Sequence, residues 1–233
     1  MSSPLFYIFL KKVLYSKKVC IYYNVGVERG NTMNKKFEKD WLESGMSVYY
    51  MEAIKRITEI VRQLNYELHS KYNRNLIDSV LSRVKTTDSM IRKLQRKGKK
   101  VTLENAIHTL NDIAGVCVVC TYRDDVYKVF KALKKNVNFE VIKVKYNIKN
   151  PKDSGYRSVH LIVAIEINEK KIPVEIQIRT VAMNYWAKLD HQLCYKREQD
   201  TGDRIYLELK KYAKEIARID KKMLKIRKEI EGI

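Results

Sequence analysis

Five residues suited to binding a nucleotide lie within nine positions of the chain: Lys152, Gly155, Tyr156, Arg157 and His160. A flat aromatic ring beside cations is typical of a site for a nucleotide base and its phosphates. Farther along, Glu175 interrupts an alternating apolar strand, and Arg179 follows the end of that strand. A half-buried carboxylate in such a place serves as a metal ligand or as a base. Together these residues indicate phosphate chemistry.

Side chains would have to hold the phosphates, because the chain has neither a G-x-x-x-x-G-K-[ST] loop nor a G-x-G-x-x-G turn. The segment 82–93 supplies the groups that such binding needs: Arg83, Lys85, Ser89 and Lys93. We expect Arg83 and Lys85 to lead into a helix, on which Ser89 and Lys93 share one face at a spacing of four. Taken alone, this segment is better explained as an ordinary amphipathic basic helix.

A second acid favours a phosphate-binding site over an ordinary basic helix. Asp112 stands directly before the apolar run DIAGVCVVC, where it would occupy the edge of a strand. Asp112 and Glu175, on two separate strands, could hold one Mg²⁺ between them. One acid near a strand is usually a cap or a surface charge. Two acids together with a basic helix and a tyrosine-containing loop instead indicate one common site.

The composition is that of a basic globular protein. The 233 residues include 47 Lys and Arg against 27 Asp and Glu, for a net charge of +20. This charge suits polyanions such as nucleotides, tRNA or acidic membrane surfaces, and a solvated lysine-rich surface explains it equally well. No run approaches the roughly 20 apolar residues of a membrane span, so we expect no membrane insertion.

The four cysteines, Cys20, Cys117, Cys120 and Cys194, show no disulfide framework. Cys117 and Cys120 form a C-x-x-C inside a strand-like run, where residues three apart face opposite sides. Structural burial is a better interpretation than a redox pair or a zinc site, and a reducing cytoplasm fits.

Apolar spacing predicts an α/β (α+β) fold: a mixed, mainly antiparallel sheet of about five strands flanked by helices, with long N- and C-terminal helices. We predict helices over a face from Ile54 to Leu68, then Leu76–Leu94, Leu103–Leu110, Asp125–Lys135 and Val181–Cys194. The predicted strands are Gly115–Tyr122, Phe139–Tyr146, Ser158–Ile167 and Ile172–Ile178, the last two joined by a hairpin-like turn at 168–171.

The C-terminal tail carries the cleanest periodic pattern. Eight apolar residues alternate spacings of four and three: Ile205, Leu209, Tyr212, Ile216, Ile219, Met223, Ile226 and Ile230. Such a heptad seam packs either on its own domain or on another subunit, and its length favours an intersubunit contact.

These segments, in this order, resemble the synthetase domain of the RelA/SpoT family, specifically the small alarmone synthetases without a hydrolase domain. The matching text is SRVKTTDSMIRKL, DIAGVCVVC, NPKDSGYRSVH and VEIQIRTVAMNYWAKLDHQLCYK. The resemblance covers about Ile54–Lys196. It implies transfer of pyrophosphate from ATP to the 3′-hydroxyl of GDP or GTP, with Mg²⁺ as cofactor, a cytoplasmic location and a homotetramer assembled through terminal helices.

The resemblance also implies roles for individual residues. Asp112 and Glu175 would carry Mg²⁺, and Glu175 is also the candidate base for the 3′-hydroxyl. The ATP-binding residues would be Arg83 along the adenine, with Lys85, Ser89 and Lys93 on the phosphates. The acceptor-nucleotide residues would be Lys152, Ser154, Tyr156, Arg157 and His160, with Tyr156 stacked on the guanine, while Gln177 and Arg179 line the site.

Two departures from the family pattern bear on the substrates. Cys117 stands where the family usually has an arginine on the other face of the adenine, and losing that contact costs on the order of 1 kcal/mol. Ser154 replaces an asparagine beside the guanine. Two alternatives to an alarmone synthetase therefore stay open: a toxin relative that pyrophosphorylates the 3′-end of tRNA, and an inactive member that senses nucleotide or RNA.

We expect three regions: an N-terminal extension over 1–45, the synthetase domain over 46–200, and an oligomerisation helix over 201–233. Glu28-Arg29-Gly30 can be encoded by a purine-rich run resembling a ribosome-binding site, so we hypothesise that translation starts at Met33. Peptides from Leu5–Tyr23 in mass spectra of the native protein would refute that start site.

Overall fold

The computed structural model describes residues 19–21, 32–195 and 202–232. The described strands are β1 (Val19–Ile21), β2 (Ile77–Val84), β3 (Ala114–Cys120), β4 (Glu140–Tyr146), β5 (Val159–Ile167) and β6 (Lys170–Thr180). The described helices are α1 (Thr32–Glu43), α2 (Met46–Tyr72), α3 (Thr87–Arg96), α4 (Leu103–Thr109), α5 (Arg123–Lys134), α6 (Val181–Tyr195) and α7 (Gly202–Glu231). The hypothesis that translation starts at Met33 concerns mostly residues outside these ranges. The side chains of Cys20 and Cys194 are also outside the described part of the structure.

The strands form one mixed sheet in the order β1-β2-β3-β6-β5-β4. The β2–β3, β6–β5 and β5–β4 pairs are antiparallel, whereas β1–β2 and β3–β6 are parallel. Five strands have seven or more residues, and β1 adds three residues at one edge. The predicted fold class, a mainly antiparallel mixed sheet flanked by helices, is confirmed.

The turn between β5 and β6 follows the expected hairpin chemistry. Asn168 and Glu169 have positive φ angles of 47° and 63°, which is the backbone pattern of a two-residue type I′ turn. This turn fixes the register in which Ile162 lies opposite Glu175 and His160 lies opposite Gln177. A short polar turn thus sets which side chains of β5 and β6 meet.

The predicted helix over Leu76–Leu94 is wrong in its first half. Residues 77–84 form β2, which pairs with β3 throughout its length, and only the second half is helical, as α3. Ile77, Val80 and Val84 recur at spacings of three and four, so they fit a helix as well as a strand. Pairing with the apolar β3 decides the outcome, because tertiary contacts override weak local spacing.

The core lies on one side of the sheet. Its cluster of buried residues includes Ile54, Ile57 and Val61 of α2, Val129 of α5 and Ile176 of β6. The alternate side chains of β6 point to the opposite side and are only half-buried. The helices therefore cover one face of the sheet and leave part of the other face available for a site.

Residues near the N-terminus also join this core. Phe37 and Trp41 of α1 are buried within the same cluster, and the ring of Trp41 stacks on that of Tyr50 at 5.8 Å. Both residues lie inside the predicted 1–45 extension, so α1, which is part of that region, packs with the domain.

Helices α6 and α7 form a smaller layer beside the sheet. Trp186 of α6 packs with Leu209 and Ala213 of α7, and its indole N–H donates to the carbonyl oxygen of Leu209 at 3.1 Å. Farther along α7, Asp220 accepts from the hydroxyl of Thr180 at 3.1 Å, and Arg227 donates to Asp124 at 2.8 Å. The long C-terminal helix is thus anchored to the domain at three places.

None of the helices in the described residues has the length and apolar character needed to cross a membrane.

Candidate functional site

Strand register places five of the predicted site residues on one face of the sheet, opposite the main core: Arg83, His160, Glu175, Gln177 and Arg179. One row across this face holds Arg83, Gly115 and Glu175, because Arg83 pairs with Gly115 and Gly115 with Glu175. The next row holds Cys117, Gln177 and His160. Gly115 has no side chain, and the side chain of Arg83 packs beside it, with Cγ 3.9 Å from where a Cβ on Gly115 would lie. The i, i+2 spacing of Glu175, Gln177 and Arg179 on β6 already places these three on one face.

Glu175 is held by a side chain on each of its two oxygens. His160 Nδ1 lies 2.9 Å from Oε1, and Gln177 Nε2 donates to Oε2 at 2.7 Å. The glutamate side chain is 13% exposed. Its carboxylate is therefore fixed in direction while part of it still faces solvent.

The environment keeps Glu175 ionised. Burial by itself would raise the pKa of this carboxyl, but the hydrogen bonds from His160 and Gln177 outweigh burial and lower the pKa to about 2. A carboxylate stabilised by two donors is the expected case of this effect. At neutral pH the group is therefore a carboxylate, able to bind a cation or to accept a hydrogen bond from a substrate hydroxyl.

Asp112 lies between two lysines. Its Oδ2 accepts from Lys85 Nζ at 2.9 Å and from Lys93 Nζ at 2.5 Å. Burial would raise the pKa of Asp112, but the two ammonium groups lower it to about 2. The other oxygen, Oδ1, is buried without a hydrogen-bond partner in the structure.

The predicted phosphate-binding residues are positioned by the junction of β2 with α3. The backbone N–H of Lys85 donates to the carbonyl oxygen of Ile113 at 2.8 Å, which continues the β2–β3 pairing past Val84. Thr86 then caps α3, accepting from the N–H of Ser89, and its hydroxyl donates to that of Ser89 at 2.9 Å. Lys93 follows one turn after Ser89, and Lys85 and Lys93 both reach Asp112.

The acceptor loop, which we define as residues 147–158 between β4 and β5, is folded over the second row. The hydroxyl of Tyr156 lies 3.0 Å from His160 Nε2, and Lys152 Nζ lies 5.1 Å from the centre of the tyrosine ring. The N–H of Tyr156 donates to Ser154 Oγ at 3.4 Å. Tyr156 is thus in contact with three of the other predicted acceptor residues.

Arg157 is the exception among them. Its guanidinium donates to the carbonyl oxygen of Ile148 at 2.7 Å, so it braces the acceptor loop from within. At the far end of β6, Arg179 Nε donates to the sulfur of Cys117 at 3.1 Å. Cys120 is buried, as predicted for the C-x-x-C pair, whereas Cys117 is only half-buried. Neither of these two cysteines forms a disulfide.

Sequence reasoning missed the contribution of α7 to this site. Gly155 has a φ of 90°, and a Cβ placed on it would lie 2.4 Å from the Cβ of Ala213 and 3.8 Å from Lys210. Tyr156 packs against the cluster of Trp186, Leu209 and Ala213. The only available signal was Gly155 itself, because a small residue marks a close approach without saying to what.

Metal binding would have to use few protein ligands. Within the described residues, no group of three or more His, Cys, Asp or Glu side chains is arranged to hold a metal ion. Asp112 and Glu175 remain the candidate pair. The negative charge of Asp112 raises the pKa of Glu175, so the two carboxylates are close enough to interact. The partnerless Oδ1 of Asp112 offers the kind of oxygen that Mg²⁺ accepts.

Comparison with known proteins gives a consistent result. A family model described as "Region found in RelA / SpoT proteins" matches residues 82–200. The chain is also 36% identical over 199 residues to the GTP pyrophosphokinase YwaC of Bacillus subtilis, covering 83% of this chain and 93% of that protein. The chain belongs to the RelA/SpoT family. All of the predicted site residues of this RelA/SpoT chain, from Arg83 to Arg179, lie inside the matched range.

Solved structures of RelA/SpoT relatives agree with this result. Small alarmone synthetase 1 from Bacillus subtilis bound to its product pppGpp has a TM-score of 0.74 and 31% identity, covering 84% of this chain and 100% of that one. The same enzyme bound to AMPCPP has a TM-score of 0.70 and 30% identity, with coverage of 84% and 100%. The RelA/SpoT chain is therefore similar to single-domain synthetases over most of its length.

Proposed function

We propose that this chain transfers pyrophosphate from ATP to the 3′-hydroxyl of GDP or GTP, making the alarmone (p)ppGpp. The observation that carries this conclusion is the setting of Glu175. Its carboxylate is ionised and accepts hydrogen bonds from two side chains, and it lies beside a cluster of cations and a tyrosine-containing loop. Relatives captured with pppGpp and with AMPCPP support the same pair of substrates.

The residues divide into a donor side and an acceptor side. Arg83, Lys85, Ser89 and Lys93 bind ATP, and the last three surround the phosphates. Lys152, Ser154, Tyr156, Arg157 and His160 form or support the acceptor side, while Gln177 and Arg179 line the floor. Transfer of a phosphoryl group depends chiefly on alignment and on stabilising charge, and these two sets of residues supply both.

Glu175 takes the proton from the 3′-hydroxyl as the oxygen attacks the β-phosphorus of ATP, and AMP leaves. Because His160 and Gln177 fix the carboxylate, little reorganisation is needed when the hydroxyl arrives. Asp112 and Glu175 would hold Mg²⁺, which when bound neutralises charge on the phosphates. The unsatisfied Oδ1 of Asp112 supports this choice of ligands.

We also propose that the enzyme is a cytoplasmic homo-oligomer, a tetramer assembled through α7. Five apolar side chains of the heptad seam on this helix are about half exposed or more: Tyr212, Ile219, Met223, Ile226 and Ile230. Beside them, α6 and α7 form an apolar groove of about 450 Å³ that includes Tyr185, Tyr212 and Ile219. A stripe and a groove on the same surface suit a self-complementary contact.

One observation favours a second acceptor, the 3′-end of tRNA. The basic run from Arg96 to Lys100 is exposed at the end of α3, one turn beyond the phosphate-binding Lys93. Together with the net charge of +20, it would attract a nucleic acid, and such binding would weaken steeply with salt.

A transfer assay separates these functions. The purified protein is incubated with Mg²⁺ and ATP labelled in its terminal phosphates, with GDP, GTP or deacylated tRNA offered in parallel. We expect label in guanosine nucleotides; label on tRNA instead would support the second acceptor, and none would indicate a binding protein. Glu175→Gln should abolish transfer, whereas the matched change Glu166→Gln, at an exposed position of β5, should leave transfer unchanged.

A further inference from the structure

His160 connects the acceptor loop to the carboxylate of Glu175. Its ring lies between two polar groups, with Nε2 3.0 Å from the hydroxyl of Tyr156 and Nδ1 2.9 Å from Glu175 Oε1. The histidine is 6% exposed, and its ring meets that of Tyr156 edge to face, with centres 5.7 Å apart. It lies opposite Gln177 in the β5–β6 pairing, on the same side of the sheet as Glu175.

The Tyr156 hydroxyl lies within reach of two acceptors, His160 Nε2 at 3.0 Å and Gln177 Oε1 at 3.4 Å. An ionised carboxylate only accepts, so Nδ1 of His160 must carry the proton that is donated to Glu175. Burial raises the pKa of Tyr156, so its hydroxyl keeps a proton to donate. The hydroxyl has one proton, and the shorter of its two contacts is the one with His160 Nε2, so we assign Nε2 as the acceptor. This assignment follows from the network of partners.

We propose that Tyr156 and His160 form a relay that positions Glu175, in which the tyrosine hydroxyl fixes the histidine tautomer and the histidine fixes the carboxylate. This inference rests on the proposed function, since it assigns positioning roles around the same base. Tyr156 then has two separable tasks: its ring binds the acceptor base, and its hydroxyl aligns the group that deprotonates the acceptor.

The relay gives the Tyr156 hydroxyl and each nitrogen of His160 a separate task, which a purely structural role would not. Without the Tyr156 hydroxyl, either nitrogen of His160 can carry the proton, and in one tautomer Nδ1 turns a lone pair toward the carboxylate. Gln177 still holds Oε2 through its 2.7 Å hydrogen bond, so Glu175 stays in place but loses one of its two constraints. The result is a misaligned base in an intact site.

Two substitutions of His160 test this directly. In His160→Asn, the side-chain amide nitrogen lies where Nδ1 was, so the donor to Glu175 is kept. In His160→Gln, the amide reaches the Nε2 position, so the contact with Tyr156 is kept and the donor to Glu175 is lost. We expect kcat to fall about 100-fold in His160→Gln, as for other small misplacements of a reacting group, and far less in His160→Asn.

Tyr156→Phe tests the other end of the relay. It keeps the aromatic ring, so we expect the KM for the guanine nucleotide to stay close to the wild-type value while kcat falls. Equal losses of kcat in His160→Asn and His160→Gln would overturn the relay, as would a Tyr156→Phe enzyme that changes only in KM.

A nitrogen-15 NMR measurement of His160 gives a readout that does not depend on turnover. We expect a proton on Nδ1 and none on Nε2 in the wild-type protein, and mixed tautomers in Tyr156→Phe. A proton on Nε2 in the wild type contradicts the relay even if the enzyme is active. Absence of transfer by a wild-type protein with the expected tautomer instead overturns the proposed function.

Discussion

Glu175 and Asp112 owe their charge at neutral pH to different partners. Glu175 is stabilised by hydrogen bonds from His160 and Gln177, whereas Asp112 is stabilised by the ammonium groups of Lys85 and Lys93. An alternating apolar strand with one acid was enough to single out Glu175 from the sequence. His160 and Gln177 were also predicted as site residues. Their contacts with the carboxylate depend on the β5–β6 register, which cannot be deduced from local sequence patterns.

These two carboxyls predict a loss of stability in acid. Their pKa values of about 2 in the folded state lie below the ordinary values of 4.5 and 3.8. Each therefore stabilises the fold above its ordinary pKa, and this contribution is lost as pH falls from about 4.5 through 2. We expect the free energy of unfolding to drop by on the order of 2 kcal/mol for each group across that window.

Urea unfolding at pH 5 and at pH 3 measures this effect. Glu175→Gln should lose less stability than the wild type between these two pH values, because it lacks one of the titrating groups. Glu166→Gln, which changes an exposed acid, should keep the wild-type dependence. An unaltered pH dependence in Glu175→Gln would mean that Glu175 is not the stabilised carboxylate described above.

For individual helices and strands, the alternation of apolar and polar residues predicts a strand more reliably than apolar spacings of three and four predict a helix. On β6, the period of two by itself places Glu175, Gln177 and Arg179 on one face of the sheet. On β2, the residues Ile77, Val80 and Val84 match a helix by spacing, and only pairing with β3 shows that they form a strand. The proposed phosphate-binding residues thus come from the end of β2 and from α3.

The contact between α7 and the acceptor loop predicts a specific defect for Gly155→Ala. The added Cβ would meet Ala213 at 2.4 Å, at a residue whose φ is already +90°. The loop must then shift away from α7, carrying Tyr156 with it. We expect a higher KM for the guanine nucleotide and a loss of unfolding free energy of about 1–3 kcal/mol.

Gly45→Ala is the matched control for this change. Gly45 has a φ of +64° with nothing within 4 Å of an added Cβ, so it reports only the cost of the backbone conformation. Adding Ala213→Gly to Gly155→Ala should restore part of both the KM and the stability. A double variant no better than Gly155→Ala alone would show that Ala213 does not constrain the loop.

Across the whole molecule, α7 has two faces with different uses. Leu209 and Ala213 are buried against α6 and the acceptor loop, whereas Ile219, Met223 and Ile226 are about half exposed. The heptad pattern predicted one continuous seam and the extent of the helix. It could not separate an inner face from an outer one, because side chains three and four residues apart fit either partner.

The outer face predicts how assembly can be disrupted. Glutamates at Ile219 and Met223 would place charge in the proposed subunit contact, so we expect the double variant to be monomeric by size-exclusion chromatography with light scattering. Lys222→Glu, which alters charge on an exposed neighbouring position, should leave the assembly intact. A wild-type protein that is monomeric at micromolar concentration would contradict the assembly through α7.

The most direct test of the proposed activity is identification of the products formed from ATP and GTP by mass spectrometry and phosphorus NMR. The geometry around Glu175, Asp112 and Tyr156 predicts one AMP for every guanosine nucleotide that gains two phosphates on its 3′-oxygen. Formation of ADP, or release of orthophosphate with the GTP unchanged, would contradict pyrophosphate transfer at this site.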